Sequence, residues 1–153
     1  MKRIEVRLSL PVVAPLLDAI KAVSDALQNK LAAPLEMGEV DEDLREVWRD
    51  ELLVSQNDDV AKLLAMFDSE FFSSGVIAFD EDNAEPVLRA CAAVRLQLRQ
   101  QYLKHVSDEL LESGDVEMDQ MDEPLRKSFM CYLFLATLQE LIIQHLDTTI
   151  LEG

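Results

Sequence analysis

The stretch Phe129-Met130-Cys131-Tyr132-Leu133-Phe134-Leu135-Ala136-Thr137-Leu138 is the longest apolar run of the chain, and only Thr137 interrupts it. It is about half as long as the ~20 residues that a membrane span requires. Pro124 precedes it, where proline suits the first turn of a helix. A helix that is apolar on almost every side is buried by its neighbours. The run therefore predicts a central helix from Pro124 to about Asp147.

The composition predicts that this central helix belongs to a mainly α-helical domain. Only 4 Gly and 5 Pro occur in 153 residues, too few for the many turns of a β-sandwich or barrel. Apolar residues make up 49% of the chain, which argues against disorder. The length fits a single domain over residues 1–153. We expect a bundle of about five helices with two short strands.

The first half of the chain contains a strand and three predicted helices. Residues 3–9 alternate between charged and apolar, which is typical of a half-exposed strand. Ser9 is a candidate N-cap for a helix whose apolar stripe runs to Leu31 and which ends at Pro34. A second helix begins at Asp41 or Asp43 and is interrupted at residues 55–57, and a third follows over residues 58–73. The apolar face of the second helix is predicted to carry Leu44, Val47, Trp48 and Leu52.

The second half contains a strand over residues 76–79 and a fourth helix that follows Asp80 or Asn83. An apolar stripe extends that helix to Tyr102. The segment of residues 105–123 is polar and acidic and is predicted to be a flexible loop before the central helix.

The two halves, about residues 3–74 and 75–150, resemble each other. A shift of 71 residues aligns the strand-helix units, and a shift of 81 aligns the following helices. Any two amphipathic helices align to some extent through their apolar stripes. Here the matches also include positions outside the stripes, which that general similarity does not explain. A pseudo-two-fold between strand-helix-helix halves would pair the two strands antiparallel. The matched positions include Val6 with Ile77, Ser9 with Asp80, Pro15 with Pro86, Asp41-Glu42 with Asp122-Glu123, Leu44-Arg45 with Leu125-Arg126, and Trp48 with Phe129.

The net charge of −16 is concentrated in two blocks. Residues 35–59 hold ten acids and two bases, and residues 105–123 hold eight acids and no Lys or Arg. Acidic blocks are usually solvated faces, but they also attract a protein partner with a basic surface and repel nucleic acid. The candidate partner-binding residues are Asp41, Glu42, Asp43, Asp115, Glu117, Asp119, Asp122 and Glu123.

No constellation of residues points to catalysis, a cofactor or a metal. His105 and His145 have no metal-ligand spacing, and no two glycines lie close enough for a phosphate-binding loop. Residues 115–126 lack the Gly and Glu that an EF-hand requires at its sixth and twelfth positions. Glu140 is the one acid of interest, because burial in the apolar final helix would favour its protonated form. The alternatives place it on an exposed edge or pair it with Arg89, Arg95 or Arg99.

Localisation follows from the cysteines and the N-terminus. Cys91 and Cys131 lie in apolar helical stretches and are interpreted as core residues of a chain in a reducing cytosol. The basic start Met1-Lys2-Arg3 is not followed by the apolar segment of a secretory signal. We expect a cytoplasmic protein without contact to a membrane.

Several residues resemble a known family. They are Phe79-Asp80-Glu81-Asp82-Asn83-Ala84-Glu85-Pro86-Val87-Leu88-Arg89-Ala90, Val94-Arg95-Leu96, Tyr132 and Leu138-Gln139. They are similar to an uncharacterised bacterial family, domain of unknown function two thousand seventeen. The resemblance implies a cytosolic helical protein without assigned activity, encoded in some bacteria beside the ClpS adaptor of the Clp protease. It implies no catalytic residue.

Three functional hypotheses follow. The first is a non-enzymatic interaction or regulatory protein with a basic partner. The second is a structural homodimer, suggested by the apolar excess of the last helix and by Phe71-Phe72. The third is a small-molecule-binding or enzymatic protein that uses Glu140 in a core pocket.

Overall fold

The computed structural model describes residues 3–32, 41–104, 106–107, 109–110 and 122–152, with side chains up to residue 145. The predicted mainly α fold with two short strands is confirmed. In chain order the elements are β1 (Ile4–Arg7), α1 (Leu10–Ala26), α2 (Glu42–Ala65), α3 (Ser69–Ser74), β2 (Val76–Phe79), α4 (Ala84–Gln101) and α5 (Glu123–Glu152).

The two strands form an antiparallel ladder in which Val6 lies opposite Ile77. These are the two residues that the 71-residue shift aligns, so this pairing has the arrangement that a two-fold between the halves requires. Strand β1 is shorter than predicted, since it spans Ile4–Arg7 rather than residues 3–9. Strand β2 spans the predicted residues 76–79. The internal repeat itself stays a prediction.

Gly75 makes the turn between α3 and β2. It has a φ of 76° and is the C-cap of α3, a left-handed conformation that favours glycine. Its carbonyl accepts a 2.7 Å hydrogen bond from the amide of Leu8. A Cβ at this position would lie 2.7 Å from the Leu8 carbonyl oxygen, closer than real Cβ contacts. A glycine is therefore required where the chain enters the sheet.

The predicted break of the second helix at residues 55–57 is wrong, because α2 runs without interruption from Glu42 to Ala65. The predicted third helix over residues 58–73 is correspondingly wrong, since its first part belongs to α2 and its last part is the separate six-residue α3. Helix α1 ends at Ala26, well before the predicted end at Pro34, and α5 continues past the predicted Asp147 to Glu152.

The helix caps also differ in part from the prediction. Ser9 occupies the N-cap position of α1, but its side chain makes no capping hydrogen bond. Asp80 and Asn83 hold the start of α4 through a reciprocal pair of bonds, in which the Asp80 carboxylate accepts from the Asn83 amide and Asn83 Oδ1 accepts from the Asp80 amide. Asp41 and Asp122 cap α2 and α5, each accepting an amide bond from the first turn.

The core lies between α1, α4, α5 and the C-terminal half of α2. Helix α5 packs on α4 and α1, and α2 packs on α4. Among the described residues, no helix is long and apolar enough to cross a membrane. The fully buried residues of the apolar run and its continuation are Phe129, Cys131, Leu135, Leu138 and Ile142.

Candidate interaction surface on helix α2

The N-terminal half of α2 stands away from this core. Every residue from 41 to 50 is exposed, and the first core residues of the helix are Asp59, Val60 and Leu63. We call residues 41–52 the α2 arm. At 1.5 Å per residue it is about 18 Å long. Within the described part of the chain, the arm is a helix whose side chains all face solvent.

The arm carries an apolar stripe. Leu44, Trp48 and Leu52 follow one another at intervals of four residues, and Val47 lies beside them. These residues are neighbours on one face of a helix. A stripe of this kind normally faces a core, yet here it is open. The exposed fractions are 42% for Leu44, 52% for Val47, 43% for Trp48 and 47% for Leu52.

Acidic residues border the stripe on one side. The arm holds six acids and two arginines, so its net charge is −4. On a helical wheel, Asp43, Glu46 and Asp50 follow one flank of the stripe, Arg45 and Arg49 follow the other, and Glu51 lies within the stripe one turn after Val47. The arm therefore combines apolar anchors with an acidic rim on a single element.

The base of the arm is held by polar contacts with the C-cap of α1 and the turn that follows it. Gln56 donates hydrogen bonds to the carbonyls of Leu27 (3.1 Å) and Lys30 (2.9 Å), and its side-chain oxygen accepts one from the Ala32 amide (3.0 Å). Asn57 donates a further bond to the Gln28 carbonyl at 3.0 Å. Carbonyls at the end of a helix lack intrahelical partners. The side-chain amides of Gln56 and Asn57 act as the donors that these carbonyls would otherwise lack. The residues interpreted from sequence as a helix break are therefore the joint between α1 and α2.

An ion pair fixes the same region of α2 to α4. Both carboxylate oxygens of Asp59 accept 3.0 Å hydrogen bonds, from Nε and Nη2 of Arg89. Asp59 is 8% exposed, and hydrogen bonding to this carboxylate raises the pKa of Arg89. The arm projects from a base that is anchored on two sides.

The structure separates the eight candidate acids into three groups. Asp41, Glu42 and Asp43 begin the arm and are exposed. Asp122 and Glu123 begin α5 and are also exposed, and Asp122 caps that helix. Asp115, Glu117 and Asp119, together with most of the predicted loop over residues 105–123, lie outside the described residues.

The two helices matched by the 81-residue shift are buried differently. Trp48 of α2 is 43% exposed, whereas its counterpart Phe129 of α5 is fully buried. The all-round apolar run of α5 predicts the burial of Phe129, whereas the single apolar face of α2 does not show whether Trp48 is covered. The stripe was visible from the sequence, but its exposure was not.

Glu140 lies on the surface of α5. Its side chain is exposed and accepts a 3.5 Å bond from Gln144 on the next turn. It lines neither the cavity of about 310 Å³ beside β2 nor the cavity of about 360 Å³ between α1 and α2. Of the alternatives left open from the sequence, the exposed edge is the one observed, because α5 turns this position outward.

The arginines of α4 are used within the fold. Arg89 binds Asp59, and Arg95 lies over the ring of Tyr132, with 4.4 Å between the guanidinium carbon and the ring centroid. Arg95 also donates to Gln139. For Arg89 and Arg95, these contacts take the place of the pairing with Glu140 that the sequence left open.

The histidines and acids form no metal site in the described part of the chain. No group of three or more His, Cys, Asp or Glu side chains there is arranged to hold an ion. His145 is half-buried in α5, and His105 lies outside the described residues. The apolar residues that suggested a homodimer are largely internal, since Phe71 is buried and only Phe72 is exposed.

Both cysteines are buried in the core, and their burial gives a pH-dependent prediction. Burial raises the pKa of Cys91 from 9.0 to about 12 and that of Cys131 from 9.0 to about 11. At pH 8 we expect each folded thiol to react with a disulfide reagent about a hundredfold more slowly, or slower still, than in urea, because the thiolate is the reactive form. Single Cys91→Ser and Cys131→Ser variants assign the two rates.

The same shifts predict a loss of stability in alkali. Above pH 9 the unfolded chain releases thiol protons that the folded chain retains, so the free energy of unfolding falls as pH rises from about 9 towards 11–12. The double serine variant is expected to lack this part of the pH dependence. A native thiol that reacts as fast as an unfolded one would contradict the burial.

Comparisons with known proteins identify a family. The family model described as "Domain of unknown function (DUF2017)" matches residues 11–146. The match includes all of α2 and its arm, and it confirms the resemblance carried by residues of α4 and α5. No curated protein and no solved structure matches the chain.

Proposed function

Because the chain belongs to this family, whose description leaves its function open, we propose from the geometry that it is a non-enzymatic protein-interaction protein and that the α2 arm is its docking element. The observation that carries the proposal is the exposed stripe of Leu44, Trp48 and Leu52. Helices dock into apolar grooves through anchors spaced in this way. The arm would insert its stripe into such a groove on the partner.

The charge of the arm defines the chemistry of the partner. The three acids that flank the stripe, Asp43, Glu46 and Asp50, are complemented by Lys and Arg beside the groove. Such rim contacts contribute mainly to the association rate and to specificity, whereas the buried anchors contribute most of the affinity. We therefore expect binding to weaken with salt but not to vanish, because salt screens exposed charges and leaves the apolar contact intact.

A regulatory role is the finer form of this proposal. The family resemblance implies a neighbourhood with the ClpS adaptor of the Clp protease, which makes purified ClpS the first partner to test. In that setting the arm would regulate the adaptor by occupying one of its surfaces.

Trp48 provides the test, because it is the single tryptophan of the chain and lies in the stripe. We propose to replace it with fluorotryptophan and to titrate the chain with ClpS while recording its fluorine NMR signal. We expect the signal to shift on binding and the Leu44→Ser/Leu52→Ser variant to bind at least about tenfold more weakly, since two anchors are lost. The matched control is Val12→Ser, an apolar residue 53% exposed on α1.

The same three proteins can be used for affinity capture from cytosol. The proposal expects a protein that wild type and the Val12→Ser variant retain and that the arm variant loses. Equal retention by all three proteins, together with an unchanged Trp48 signal, would contradict docking through the arm.

A further inference from the structure

Among the described residues, strand β1 has an outer edge that no other strand pairs with. Within the described residues the sheet has two strands, and β1 pairs only with β2. The bond from the Leu8 amide to the Gly75 carbonyl fixes which backbone groups face β2. Because these groups alternate along an antiparallel ladder, those of Val6 point towards β2 and those of Glu5 and Arg7 point to the outer edge. Unpaired amides and carbonyls of this kind are a template for another strand.

The side chains of β1 are complementary to a second copy of the same strand. Arg3, Glu5 and Arg7 alternate with apolar residues, and all three are exposed. In an antiparallel pair centred on Val6, Glu5 lies opposite Arg7 of the second copy, and Arg7 lies opposite Glu5 of the second copy. On the other face Ile4 lies opposite Leu8 of the second copy. Opposite charges and apolar residues in such cross-strand positions stabilise a sheet.

The alternative registers are less favourable. Centring the pair on Glu5 places Glu5 opposite itself and Arg3 opposite Arg7, and like charges directly opposite are destabilising. A shift by one residue places the outward-facing amides and carbonyls of Glu5 and Arg7 opposite residues whose own groups face β2, so hydrogen bonds between the two strands cannot form. Centring on Ile4 pairs Arg3 with Glu5 but leaves Leu8 beyond the ladder. The Val6 register is the one that uses all of residues 4–8.

We propose that β1 pairs antiparallel with β1 of a second copy of this chain, so that a two-fold axis through Val6 joins two sheets into one of four strands. The occupant is a second copy rather than an unrelated peptide, because Glu5 and Arg7 of one strand are complementary to Arg7 and Glu5 of the other. Within its own strand Glu5 has only an exposed 3.5 Å ion pair with Arg3. The site is independent of the α2 arm, which lies on a different element.

Charge reversal tests the register. Glu5→Arg places two arginines opposite each other twice per dimer, and Arg7→Glu does the same with two glutamates. Each single variant is expected to raise the dimer dissociation constant by about tenfold or more. The double variant Glu5→Arg/Arg7→Glu restores opposite charges and is expected to restore the dimer. An equal mixture of the two single variants is expected to form a heterodimer, since each reversed position then meets an opposite charge.

Sedimentation velocity over micromolar to millimolar concentrations measures these states. Both residues are exposed, so urea unfolding midpoints close to that of wild type show that the variants remain folded. The Leu44→Ser/Leu52→Ser variant of the arm must still dimerise, which keeps this proposal separate from the proposed function. A monomeric wild type, a single variant that dimerises like wild type, a mixture that stays monomeric, or a dimer lost in the arm variant would each overturn it.

Discussion

Phe129→Ala is expected to lower the free energy of unfolding by about 3–5 kcal/mol, because it removes a ring from a closed core. Phe129 is fully buried in α5, which packs on both α4 and α1. Part of this loss is the transfer free energy that burial of the ring no longer contributes, and the rest is the cost of the cavity that remains. Urea unfolding followed by circular dichroism measures the change.

Trp48→Ala is the matched comparison, since the 81-residue shift aligns Trp48 with Phe129. Trp48 is 43% exposed on the arm, so its removal is expected to cost about 1 kcal/mol or less. If Phe129→Ala fails to fold, Phe129→Leu retains most of the apolar volume and is expected to lose only about 1–2 kcal/mol. Equal losses at the two aligned positions would contradict the exposure of the arm.

The parts of the fold that depend on local spacing were predictable. The stripe of α1 was predicted from the sequence, and most of it is buried, although Leu17 is half-buried. In α4 the predicted stripe is buried at Val87, Cys91, Val94 and Leu98, half-buried at Leu88 and exposed at its end, Tyr102. In both helices the 3.6-residue period and the capping region are encoded within the segment itself, so no knowledge of the neighbours was needed.

The continuity of α2 was not predictable, because its polar residues serve a distant partner. Gln56 and Asn57 look like a break in an apolar pattern, but their side-chain amides donate to the carbonyls of Leu27 and Gln28, at the C-cap of α1 and just after it, almost thirty residues earlier in the chain. Helix propensity differences are small and tertiary contacts override them. A polar residue within a helix therefore signals either an end or a joint, and the sequence alone does not distinguish the two.

The candidate surface was predictable only in part. The acids at residues 41–43 and the stripe that includes Trp48 were both identified from sequence, but as separate features. The structure places them on one helix and shows that the stripe is exposed. An amphipathic pattern indicates that one face of a helix is apolar, but it does not indicate what covers that face. The exposure of the stripe therefore became known only from the positions of the other helices.

The ion pair between Asp59 and Arg89 gives the second large prediction. Arg89→Ala is expected to lower the free energy of unfolding by about 1–3 kcal/mol, because it leaves a largely buried carboxylate without its partner. A fully buried pair would lose more, about 3–5 kcal/mol when one partner is removed. The Arg89 side chain is 55% exposed, so solvent recovers part of the loss.

A double-mutant cycle separates this interaction from the loss of the side chains themselves. Asp59→Ala, Arg89→Ala and the double variant are expected to give a coupling energy of about 1–2 kcal/mol, within the usual range for contacting charged residues. The control is Glu85→Ala, whose carboxylate is 73% exposed and 3.9 Å from the same guanidinium; its cost is expected to be about 0.5 kcal/mol or less. Because burial limits screening, the Asp59–Arg89 coupling is expected to persist at high salt. A coupling energy as small as that of Glu85 would mean that α2 is held to α4 by apolar packing alone, and that the base of the arm does not depend on this pair.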